Sequence, residues 1–206
     1  MRRLLTLAML VAGMWMLPME ASAQFSLGGL WNAITGEDDD EPSRYEELAD
    51  DAPDYDDILG TWYYSHAKVD YFGDSKLAEV AISELNSVAQ DLLNSYDVDE
   101  GLFKITVKRN GTIVGALDDE TLSGEFTYDS SDAEIELYVT IDGTQLSCDG
   151  YVEQYNNRLK VYLEVEDLLS AYKSLGVSYD ASIVSLAREV ASRFGDVYVA
   201  INFSRS

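Results

Sequence analysis

Basic residues are scarce in this chain of 206 residues: 14 Lys and Arg stand against 38 Asp and Glu, for a formal net charge of -24. A surface so short of cations cannot neutralise phosphates and gain affinity from counterion release, which excludes ordinary nucleic-acid binding and disfavours anionic membrane surfaces. Cysteine and histidine each occur once. One thiol excludes an internal disulfide and any Cys-x-x-Cys zinc or redox motif. One imidazole cannot supply the usual histidine set of a hydrolytic zinc site. The sequence also lacks a G-x-S-x-G nucleophile elbow, an H-E-x-x-H helix, a phosphate loop and a dinucleotide fingerprint. No cofactor is implied. What the chain does have is a hydrophobic fraction of 47%, enough for a folded core, so its acidity does not mean global disorder. Tyrosine leads the aromatics, with 14 against 6 Phe and 3 Trp.

The N-terminus reads as an export signal. Arg2 and Arg3 precede an apolar run from Leu4 to Leu17, and Ala21-Ser22-Ala23 puts small residues where signal peptidase selects them. Cleavage after Ala23 predicts a periplasmic or secreted protein with no transmembrane anchor, because the apolar run is too short for a comfortable span. Residues 24–35 follow as a short amphipathic stub carrying Phe25, Leu27, Leu30, Trp31 and Ile34. From Glu37 to Asp57 there are 12 acidic residues and one Arg. This composition predicts a solvated, disordered linker that cannot offset its ordering entropy. The domain division is therefore 1–23 signal peptide, 24–57 stub and acidic linker, 58–206 folded domain.

From Ile58 onward the pattern becomes period-two alternation broken by turn dipeptides. Strands are predicted at 58–70, 102–109, 112–118, 122–129, 133–141, 144–155, 158–165 and 196–204. Asn110-Gly111, Asp142-Gly143 and Asn156-Asn157 each suit a two-residue primed turn. A turn at Asp142-Gly143 sets Val139 opposite Leu146, Leu137 opposite Cys148 and Ile135 opposite Gly150. One at Asn156-Asn157 sets Val152 opposite Val161, Cys148 opposite Val165, Glu153 opposite Lys160 and Tyr151 opposite Tyr162. Apolar residues meet on one face and opposite charges on the other, and a slip of one residue would destroy both agreements. Helices are predicted from about 75 to 95, capped by Asp74 or Ser75, and as a pair at 166–175 and 181–194. Eight antiparallel strands in sequence order suffice to close a small up-and-down barrel, which either packs solid or holds one small ligand.

Within this frame Gly60-Thr61-Trp62 is informative. The run Leu59-Gly60-Thr61-Trp62-Tyr63-Tyr64-Ser65, with Asp74-Ser75-Lys76-Leu77, Asn110-Gly111-Thr112 and Thr121-Leu122-Ser123-Gly124-Glu125-Phe126-Thr127-Tyr128-Asp129, resembles a family of exported lipocalin-like proteins of unknown function in gut-type Gram-negative bacteria. Asp167-Leu168-Leu169 and Leu175-Gly176 extend the resemblance, which spans roughly residues 58–204. It implies a calycin-type barrel with Trp62 plugging its closed end, and it implies no catalytic residues. The chain departs from ordinary lipocalins by a helix between strands one and two and a helix pair before strand eight.

The alternation then nominates sites. Tyr64, Phe103, Ile105, Phe126, Val139 and Leu163 face inward and would surround a small hydrophobic molecule. Gly60, Gly124, Gly150, Ala116 and Ala133 would leave space there, while Trp62, Tyr64, Phe103, Phe126 and Tyr128 would consume it. Tyr64 and His66 share the inner face unless a bulge intervenes, and Cys148 also points inward; a thiol and an imidazole in one cavity could form a nucleophile and base. On the outer face Glu136, Asp149 and Glu164 align across neighbouring strands, an arrangement that invites a hard cation. Outward Tyr138, Tyr151, Tyr155 and Tyr162 could stack on a glycan or anchor an envelope protein, or be covered by a helix. Two roles follow: a non-catalytic binder of a small hydrophobic molecule, or an envelope or surface interaction protein whose barrel is packed solid and meets a protein or glycan.

Overall fold

A computed structural model describes residues 44–95, 99–117, 120–141, 143–175 and 181–205. The signal peptide and the amphipathic stub lie outside the described residues. Eight strands close a barrel in sequence order, each antiparallel to its neighbours: β1 (Gly60–Tyr71), β2 (Lys104–Val107), β3 (Thr112–Leu117), β4 (Glu120–Asp129), β5 (Glu134–Ile141), β6 (Thr144–Tyr155), β7 (Arg158–Glu164) and β8 (Val197–Ser204). Closure pairs each strand with two neighbours over at least part of its length, and inward positions along the strands alternate with outward ones.

The predicted hairpin registers hold in β5–β6 and β6–β7. Val139 faces Leu146, Leu137 faces Cys148 and Ile135 faces Gly150. Val152 faces Val161, Glu153 faces Lys160 and Tyr151 faces Tyr162. The pairing of Cys148 with Val165 does not form, because β7 ends at Glu164 and Val165 opens a helix. The β2–β3 turn also differs. Val107 pairs with Ile113, so Arg109, Asn110 and Gly111 form a three-residue loop with Gly111 at φ 77. A type I turn closed by a left-handed glycine accounts for that length. The extra residue reverses the parity of β3, so that Gly115 and not Ala116 faces inward, opposite Ile105 and Leu122.

Strand β1 is long and β2 short. Only Gly60 to Tyr63 pair with β2, which leaves the upper edge of β1 without a strand partner. Helix α3 (Lys76–Ser95) fills this gap, with α1 (Arg44–Asp50) and α2 (Tyr55–Ile58) preceding the barrel. Asn86 of α3 accepts a hydrogen bond from the Val69 amide (2.6 Å) and donates to the Val69 carbonyl (2.8 Å), while Gln90 donates to the Ala67 carbonyl (2.8 Å). Residues i and i+4 of the helix thus reach alternate residues of the strand and satisfy backbone groups that would otherwise be buried unpaired. Ser75 caps α3 through a bond from the Ala78 amide (3.3 Å). Helices α4 (Val165–Ser174) and α5 (Ala181–Phe194) follow β7. The helices pack mainly against β1, β6, β7 and β8, and Ala81, Leu85, Leu169, Val190 and Ala191 join the barrel core.

The acidic linker requires correction. From Arg44 on it is folded, with α1 laid on the outer face of the barrel. Leu48 is buried there in a cluster with Phe72, Ala133, Tyr162, Tyr198 and Ala200, flanked by Tyr45 and Tyr151. Arg44 bonds Glu153 (2.8 Å) and the Tyr162 hydroxyl (3.0 Å), and Tyr45 bonds Asp196 (2.5 Å). Composition predicts disorder when apolar groups are few; here three well-spaced side chains meet a preformed aromatic face, and the remaining acidic residues stay in water.

Candidate apolar ligand site

One end of the barrel is closed by the segment that leads into β1. Trp62 is fully buried and donates through Nε1 to the Ile58 carbonyl (2.9 Å). The Arg205 guanidinium lies 4.0 Å from the Trp62 ring centre and donates to the carbonyls of Asp57 (2.9 Å) and Leu59 (2.5 Å). Gly60 sits beneath it at φ 121, where a Cβ would meet the guanidinium. Tyr55 stacks on Phe126 at 6.0 Å, and Tyr128 donates to the Pro53 carbonyl (2.7 Å). One turn of helix, one tryptophan and one arginine thus pack together at this end.

Above the seal lies a cavity of about 210 Å³. Five of the six predicted ligand residues line it: Phe103, Ile105, Phe126, Val139 and Leu163. Tyr64 does not. It is buried, stacks on Phe103 at 4.7 Å, and supports the wall from behind; burial pushes its hydroxyl up to about 12. Sequence reading missed Gly115, Ile113, Leu122 and Leu137, which also line the space. Ile113 and Gly115 were hidden by the misjudged turn, whereas Leu122 and Leu137 alternate inward and were legible.

Lining residues Ile105, Ile113, Leu122 and Val139 on β2 to β5 are only half-buried, whereas Val107, Phe126 and Ile135 there, and Val152, Leu159, Leu163 and Phe203 on β6 to β8, are buried. Gly115 faces Leu122 and Gly124 faces Ile113, so each of these inward pairs carries one side chain. Gly124 is constrained as well, since a Cβ there would stand 2.6 Å from the Tyr138 carbonyl.

The other nominated sites do not assemble. A β-bulge between Tyr64 and His66 turns His66 to the exposed outer face, while Cys148 stays buried on the inner one. Burial, and then the carboxylates of Asp167, Glu164 and Asp149, push the Cys148 thiol far up, opposite to what a nucleophile needs. Glu136 does face Asp149, and Glu164 borders the same outer groove. Nevertheless, among the described residues no group of three His, Cys, Asp or Glu is arranged to hold a metal ion. Strands about 4.8 Å apart on a convex face splay their side chains outward. Burial raises the Asp149 and Glu164 carboxyls, and the neighbouring Asp167 raises both further. The tyrosine face is covered in part: Tyr162 is fully buried beneath α1 and Tyr151 half-buried beside it, while Tyr155 is exposed and Tyr138 is half-buried outside that cluster.

The sequence model of the lipocalin-like domain family DUF4923 matches residues 45–205. Among solved structures, a crystal structure of a DUF4847 family protein from Bacteroides vulgatus is similar, with 16% identity, a TM-score of 0.36, and coverage of 71% of this chain and 92% of that one. No curated protein matches the chain.

Proposed function

This chain belongs to the lipocalin-like domain family, and we propose that it is an exported, non-catalytic binder of a small hydrophobic molecule held in the barrel cavity. The observation that carries the reading is the void itself. The barrel leaves a space of about 210 Å³ lined wholly by hydrocarbon side chains and glycines, where a solid interior would be close-packed. Gly115 puts no side chain into the hollow, opposite Ile105 and Leu122. A barrel filled by its own side chains would have favoured the interaction-protein reading instead, and the covering of Tyr151 and Tyr162 by α1 weakens the surface that reading relied on.

The test is native mass spectrometry of the protein purified from its source organism. The reading expects a non-covalent adduct of a small apolar compound on the wild type. It expects none on Val139→Phe, whose ring would occupy the space opposite Gly124. An adduct that persists unchanged in that variant places the ligand elsewhere and overturns the reading. A wild type free of adduct, whose melting temperature no apolar compound raises, does so as well.

A further inference from the structure

The chemistry of the cavity wall restricts what it can hold. Every lining side chain is a hydrocarbon or is absent altogether, from Ile58 at the sealed end to Phe103, Leu122, Phe126 and Val139 around the hollow. Along the lining strands the backbone is paired over the ladders that join β2 to β8. A ligand group placed inside therefore finds no hydrogen-bond partner, at ~1–3 kcal/mol for a hydroxyl or amide and several kcal/mol for an ion.

Among the described residues, no cationic side chain lines the cavity. Arg205 is committed to two backbone carbonyls and the Trp62 ring, and Arg109 is paired with Asp56 at 2.7 Å. Lys104 lies between two lining residues in sequence but is exposed, and strand alternation turns it to the outer face. The chain as a whole carries a net charge of -24, which repels an anion approaching from solvent. An apolar cavity of ~150 Å³ takes the six carbons of benzene, so about eight carbons fill this one.

We infer that the cavity selects uncharged molecules with a hydrocarbon body of about eight carbons and rejects the carboxylate of the same chain. This rests on the proposed ligand-binding function and adds to it the class of ligand. The experiment is isothermal titration calorimetry on the full chain at pH 7 with 1-octanol, methyl octanoate and sodium octanoate, repeated on Val139→Phe to assign the heat to the cavity. The alcohol and the ester should bind with similar affinity, about tenfold or more tighter than octanoate, and all three should lose affinity in the variant. Raising the salt should narrow the gap without closing it, since screening removes the long-range repulsion but not the cost of burying the ion. Octanoate binding as tightly as octanol would overturn the selectivity while leaving a ligand-binding barrel. Failure of all three to bind would overturn the selectivity and count against the ligand-binding reading as well.

Discussion

Trp62 concentrates several contributions in one side chain: full burial, a hydrogen bond to Ile58 and the guanidinium of Arg205 over its ring. Deleting a buried aromatic of this kind costs ~3–5 kcal/mol. Trp62→Ala should therefore lower the urea midpoint sharply, while Arg205→Met, which keeps an apolar cover on the ring, should cost about 1–2 kcal/mol. Equal stability of Trp62→Ala and wild type would show that the seal is not structural. Single residues also mark where the sequence misleads. Strand alternation located Phe103, Ile105, Phe126, Val139 and Leu163 on the cavity wall, because a strand with one buried face fixes its own parity. The same logic failed at Ala116, because one additional residue in the turn at Asn110-Gly111 exchanges it with Gly115, and dipeptide chemistry does not count loop residues. At His66 the exception left open in the sequence applies: a bulge at Ser65 resets the face.

Helix α3 shows what pattern reading cannot reach at the scale of an element. Its amphipathic stripe was legible, and so was its Ser75 cap, but not that Asn86 and Gln90 would replace a missing strand along β1. The shortness of β2 creates that need, and only the closed barrel reveals it. Asn86→Leu leaves the Val69 amide and carbonyl unpaired and should destabilise the fold by ~1–3 kcal/mol for each buried group not recovered by water. Hydrogen exchange at the Val69 amide should accelerate well beyond that of the β6–β7 ladder; unchanged protection there would mean that the helix does not serve as the edge partner. Segment 44–50 teaches a related lesson. Its acidic neighbours hide Tyr45 and Leu48, whose partners, Phe72 and Tyr198, are distant in sequence. Such contacts become visible only once β8 has been placed beside β7.

For the whole molecule, the acidity is in part a burden on the fold. Asp149 and Glu164 are held above their ordinary values by burial and then by Asp167, so their ionisation opposes folding. That cost is present above their folded pKa and vanishes once pH falls below the ordinary value near ~4. Glu153 runs the other way. Burial raises it, but the Tyr162 hydrogen bond and the charges of Lys160 and Arg44 outweigh this and hold it low, so its stabilisation is lost as pH falls through that lowered value. Asp149→Asn should accordingly raise the melting temperature at pH 7, with the gain shrinking to nothing by about pH 3–4. A gain independent of pH would point to packing rather than charge. Alternation and turn signals made the architecture of eight strands and three helices after β1 legible, because closure of an up-and-down barrel needs only their order. The cavity was not legible, since its volume is a small difference between the space the strands enclose and what the inward phenylalanines, leucines and valines fill. The central claim, that this difference is a space kept for a small apolar molecule, is tested most directly by a high-resolution crystal structure of the protein purified from its source organism. The account predicts continuous non-protein density against Phe103, Phe126 and Val139, with Gly115 and Gly124 at its edge. An interior closed by side chains, with no space between the β2–β5 wall and β6–β8, would contradict it.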